Sequence, residues 1–70
     1  MIKELKSYIC EFDTVPTDDD LIQAIEIAKK DNCVVEIHWT LKWSGHYARY
    51  FYADDTLETA REKLPKIYGM

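Results

Sequence analysis

The chain has 70 residues, 47% of them hydrophobic and 31% charged, and a formal net charge of −4. That is room for one domain with one core, and the composition is too apolar for intrinsic disorder. The acidity argues against a non-specific hold on nucleic-acid phosphates, which draws on clustered Lys and Arg, and no apolar run approaches the roughly 20 residues that span a bilayer.

Met1 to Lys6 alternate between charged and apolar residues without a secretory signal, and the two cysteines, Cys10 and Cys33, lack the spacings of a disulfide framework. A cytoplasmic protein with free thiols is expected. From Tyr8 to Asp13 the residues alternate, with Tyr8, Cys10 and Phe12 on one face, which predicts a first strand. Val15-Pro16 breaks the run, and Thr17 stands where a helix N-cap belongs. Asp18, Asp19 and Asp20 then lie on the positive end of the helix macrodipole, with Lys29 and Lys30 near the negative end. Leu21, Ile25 and Ala28, widened by Ile22 and Ala24, form the apolar stripe, and Asn32 tolerates the left-handed conformation that closes a helix.

Six of the nine aromatic residues fall between Trp39 and Tyr52, in two alternating runs interrupted by Ser44-Gly45. Val35, Ile37, Trp39, Leu41 and Trp43 recur at period two, which predicts a β-hairpin. A two-residue turn would place Trp43 opposite His46, Trp39 opposite Tyr50 and Ile37 opposite Tyr52 on a buried face. His38, Thr40, Lys42, Tyr47, Arg49 and Phe51 would then face solvent. This register is the expected one. A three-residue loop with a bulge at Gly45 would shift the pairing by one and put Phe51 and Tyr47 inside instead. After Tyr52, Asp55 and Glu58 have the spacing of a capping box, Leu57, Ala60 and Leu64 share a stripe, and Pro65 should end the second helix near Lys63. Ile67 and Tyr68 are placed at the edge of the core.

The order β-α-β-β-α predicts an α+β fold: a three-stranded mixed sheet with both helices packed on one face, the first two strands parallel and adjacent. The other face stays wet.

Two surfaces could act by contact. Glu11, Asp13, Asp18, Asp19 and Asp20 form an acidic patch at one end of the domain, suited to another protein with a basic surface. His38, Lys42, Tyr47, Arg49 and Phe51 on the open sheet face could instead stack single-stranded nucleic acid, the less favoured partner. Cys10, Cys33, His38 and His46 are the residue types zinc takes, but without close Cys and His pairs, and the Asp18-Asp19-Asp20 run lacks the glycine and closing glutamate of a calcium loop. No cofactor is expected. Asp54, Asp55, His38 and His46 are imaginable acid–base groups, but a domain this small rarely walls off a pocket, so a non-enzymatic regulator or inhibitor is expected. It would be a monomer or a weak homodimer.

The segment Phe51-Tyr-Ala-Asp-Asp-Thr-Leu-Glu-Thr-Ala-Arg61 resembles the closing stretch of small proteins carried on mobile elements of anaerobic Gram-positive bacteria. The resemblance implies an accessory or regulatory role and transfers no functional residue.

Overall fold

A computed structural model describes residues 4–65. The element order is β1 (Leu5–Ile9), α1 (Asp18–Asp31), β2 (Val34–Leu41), β3 (Gly45–Phe51) and α2 (Leu57–Glu62). The sheet order is β1-β2-β3, with β1 parallel to β2 and β3 antiparallel to it. This is the expected mixed α+β arrangement. No helix among the described residues is long and apolar enough to cross a membrane.

α1 forms where its caps and stripe say it should. Thr17 accepts from the Asp20 N–H while the Asp20 carboxylate accepts from the Thr17 N–H, at 3.2 and 2.9 Å, which closes a reciprocal capping box. Asn32 at φ 50°, ψ 53° ends the helix, its N–H donating to the Ala28 carbonyl. Leu21, Ala24, Ile25 and Ala28 are buried against Cys33, Val35, Ile37, Trp39 and Phe51, with Ala60 of α2 closing the same core. Leu57 and Leu64 are half-buried against it. α2 stops at Glu62, with Lys63 as its C-cap ahead of Pro65. Ile67 and Tyr68 lie outside the described residues.

Three local expectations are corrected. The first strand runs from Leu5 to Ile9 rather than from Tyr8 to Asp13, because its partner β2 begins at Val34 and pairs Leu5 with Val34 through Ile9 with His38. Beyond it the chain still touches β2 through Cys10 N–H to the His38 carbonyl and Asp13 N–H to the Thr40 carbonyl, but Asp13 sits at φ 64°, which ends regular strand geometry. Phe12 is therefore exposed.

The second helix caps one residue later than its sequence spacing implies. Thr56 is the N-cap and Thr59 its reciprocal partner, because the Asp55 carboxylate is taken by the Tyr52 N–H, the Thr59 hydroxyl and the Lys63 ammonium at 2.8, 2.7 and 2.6 Å.

The hairpin register differs most. Trp39 stands opposite Tyr47, not Tyr50, and Leu41 opposite Gly45, so Lys42, Trp43 and Ser44 make a three-residue connection. Gly45 at φ 98° supplies the positive φ that this loop requires. An offset of three residues is odd, so every β3 side chain changes face. Phe51 and Tyr47 turn to the covered side, as the bulged alternative had it though with a larger offset, and Trp43 leaves the strand to stand 89% exposed.

Candidate interaction surface

Most of the acidic cluster is committed to internal contacts. Asp13 accepts the Lys42 backbone N–H at 3.0 Å, tying the β1–α1 connection to the hairpin turn. Asp18 pairs with Arg61 of α2, whose Nε donates at 3.0 Å, and the guanidinium holds the carboxyl below its ordinary range. Asp20 closes the capping box and accepts the Tyr8 hydroxyl at 3.1 Å, which pushes the phenol's pKa up. Only Glu11 and Asp19 make no side-chain hydrogen bond or ion pair with a described residue. Lys6 and Asp31 form a further pair that ties β1 to the end of α1.

The open face of the sheet is built by alternation. In β2, Val35, Ile37, Trp39 and Leu41 point to the helices, so Val34, Glu36, His38 and Thr40 point away. The pairing adds Leu5, Ser7 and Ile9 from β1 and His46, Ala48 and Tyr50 from β3. A single hydrogen-bonded row crosses this face. Ser7 donates to Glu36 at 3.2 Å, and His38 Nε2 lies 2.8 Å from the same carboxylate. His38 Nδ1 meets His46 Nε2 at 3.1 Å, and His46 Nδ1 meets the Thr40 hydroxyl at 3.0 Å. One donor order satisfies every link with both rings neutral: Thr40 to His46, His46 to His38, His38 to Glu36. The His38 N–H holds the Glu36 carboxyl below its usual range against partial burial, with help from Tyr50 and Ser7, while Glu36 raises the Tyr50 phenol.

The structure separates the residues assigned to this face from sequence. His38 is there, with Thr40. Phe51 is fully buried, and Tyr47 stacks on Trp39 on the covered side at 5.5 Å between ring centroids. Arg49 donates from Nε to the Lys63 carbonyl and from Nη1 to the Ala48 carbonyl, both at 2.8 Å, with its guanidinium 6.0 Å from the rings of Trp39 and Tyr47. Lys42 lies in the turn, 5.3 Å from the Trp43 ring. These four are corrections that follow from the odd register shift. Glu36, His46 and Tyr50 take their place. Glu36 is readable from the alternation of β2 alone, whereas His46 and Tyr50 depend on ending the connection at Ser44 and starting β3 at Gly45.

His38 and His46 do meet, but no group of three or more His, Cys, Asp or Glu among the described residues is placed to hold a metal ion. Cys10 and Cys33 are free thiols, and burial pushes the Cys10 thiol up, away from thiolate reactivity at neutral pH. The clefts beside Tyr8, Asp20 and Ile27 and between α1 and Asp55–Leu57 lie on the helix side, not on the polar row. Comparison with known protein families, with curated proteins and with solved structures gives no match.

Proposed function

We propose that this protein is a non-enzymatic interaction domain, a regulator or inhibitor that docks on another protein through its open sheet face. The observation that carries the reading is the uncovered face itself. It presents an ordered row, Ser7–Glu36–His38–His46–Thr40, flanked by Leu5, Ile9 and Tyr50, whose apolar surface is held in place by a rigid sheet rather than by loops. Ser7, His38, His46 and Thr40 are satisfied within the row, the Glu36 carboxylate is the charge that a basic group of the partner would pair, and the aromatic and aliphatic flanks supply the area that a contact needs.

The same face disfavours the nucleic-acid reading. Its ten strand positions include no Lys or Arg, so a phosphate backbone would meet Glu36 without a compensating cation. The acidic end is the weaker seat because Asp13, Asp18 and Asp20 are occupied. The net charge of −4 acts at longer range and draws the domain toward a partner with a basic surface. An accessory or regulatory role also fits the resemblance of Phe51–Arg61 to small mobile-element proteins, and two free thiols fit a cytoplasmic setting.

The test is affinity capture from the native cell extract with three proteins: wild type, Tyr50→Ser with His46→Ser, and Glu11→Lys with Asp19→Lys. The wild type should retain one main partner, the open-face pair should lose it, and the acidic pair should retain it with a slower association. Loss of the partner only with the acidic pair would move the seat to the end of the domain and reject the open face.

A further inference from the structure

The two edges of the sheet are not alike. Along β3 the pairing turns the backbone of His46, Ala48 and Tyr50 outward, and two of those carbonyls are taken: Ala48 by Arg49 Nη1 at 2.8 Å and Tyr50 by Lys63 Nζ at 2.7 Å. Along β1 the bonds from Val34 N–H to the Glu4 carbonyl and from Cys10 N–H to the His38 carbonyl fix the inward residues as the even-numbered ones. Leu5, Ser7 and Ile9 therefore turn their N–H and C=O groups outward, and nothing among the described residues bonds to them. Such an edge is a template for another strand.

We propose that β1 pairs antiparallel with β1 of a second copy about a two-fold axis through Ser7, joining two sheets into one of six strands. The strand LKSYI is self-complementary in that register. Leu5 falls opposite Ile9 of the second copy, so the side chains that stand 52% and 76% exposed in the monomer meet as apolar cross-strand pairs on the open face. Lys6 falls opposite Tyr8 of the second copy, so no like charges oppose, and its ammonium is already paired with Asp31. The outward groups of Leu5, Ser7 and Ile9 on each copy then exchange N–H···O bonds at all three pairs. With two of its three outward carbonyls taken, the β3 edge is the poorer template, which disfavours β1-to-β3 addition, an arrangement that would propagate, and favours the isologous pair, which closes on itself. The inference does not rest on what docks against the open face.

Analytical ultracentrifugation over a wide concentration range tests it, with amide hydrogen exchange as the second readout. The wild type should move from a mass of 8.3 kDa to twice that value as concentration rises, with protection gained at the amides of Leu5, Ser7 and Ile9. Ser7→Pro removes an N–H that the monomer does not use and should stay monomeric where the wild type is dimeric, whereas Ser7→Ala should dimerise. Ile9→Lys puts a charge opposite Leu5 of the second copy, changes only an exposed side chain and should weaken association at least tenfold, which keeps the test alive if Ser7→Pro fails to fold. A wild type monomeric at every concentration, a folded Ser7→Pro or Ile9→Lys that dimerises as well as wild type, or protection gained along β3 instead would each overturn the proposal.

Discussion

Trp39 and Trp43 sit four residues apart with opposite fates, one fully buried and one 89% exposed. Trp39→Ala should cost about 3–5 kcal/mol, close to the whole stability of a domain this size at roughly 0.05–0.15 kcal/mol per residue. Trp43→Ala should stay within about 0.5 kcal/mol. Iodide should quench one indole of the two, and Trp43→Phe should remove the quenchable fraction; two shielded indoles would contradict the pairing of Trp39 with Tyr47 and the placement of Trp43 in the turn. Asp55 gives a pH dependence. Burial alone would raise its pKa, but the Lys63 ammonium, the Tyr52 N–H and the Thr59 hydroxyl outweigh it and leave the pKa lowered. A depressed carboxylate contributes stability that is present above its unfolded pKa of about 3.9 and is lost as pH falls through the lower folded value. Asp18, Asp31 and Glu36, lowered by Arg61, Lys6 and His38 respectively, act in the same sense. Stability should therefore fall below about pH 4, and Asp55→Asn should flatten that acid limb in urea titrations repeated from pH 3 to pH 7. An unchanged slope would mean that the Asp55 contacts are not made in solution.

At the scale of elements, α1 was legible almost to the residue because its signals are local: Thr17 with Asp20, the Leu21–Ala28 stripe and Asn32 lie within one stretch of chain. The hairpin was legible as a hairpin but not in register, since Ser44-Gly45 favours a two-residue turn, whereas the connection is Lys42 to Ser44 with Gly45 opening β3. What decides between them is non-local, namely whether Phe51 or Tyr52 enters the core beneath Leu21 and Ile25. The candidate face depends on the same choice, which moves Arg49, Tyr47 and Phe51 off it and brings His46 and Tyr50 onto it. Asp13 shows the same limit. Its carboxylate looks like surplus charge in the sequence, yet it holds the Lys42 N–H across the fold from a left-handed backbone position. Asp13→Ala should destabilise by about 1–2 kcal/mol, with Asp13→Asn recovering much of the loss, because Asn both accepts that bond and tolerates positive φ. Equal loss from both in denaturant titrations would argue that charge, not geometry, is what Asp13 supplies. Gly45→Ala, with no atom within 4 Å of the added carbon, should cost only the backbone strain, about 1 kcal/mol.

For the molecule as a whole, the core is one cluster drawn from both helices and two strands, and neither thiol is bonded to the other. Thermal unfolding should be indifferent to reductant and to chelator; a midpoint that drops with either would reveal a staple the described residues do not contain. The sheet also sets an order of events. β2 and β3 pair residues from Leu41 with Gly45 out to Val35 with Phe51, whereas β1 must meet β2 across the whole of α1, Leu5 reaching Val34. Closing the short loop costs less chain entropy than closing the long one, so the hairpin with its Trp39–Tyr47 stack forms early and β1 docks last. Stopped-flow kinetics on dilute protein should then show Tyr47→Ala mainly slowing folding and Tyr8→Ala mainly hastening unfolding. If β1 is the last strand to arrive and the first to leave, a growing chain can complete its hairpin core while its amino-terminal strand is still searching for a place.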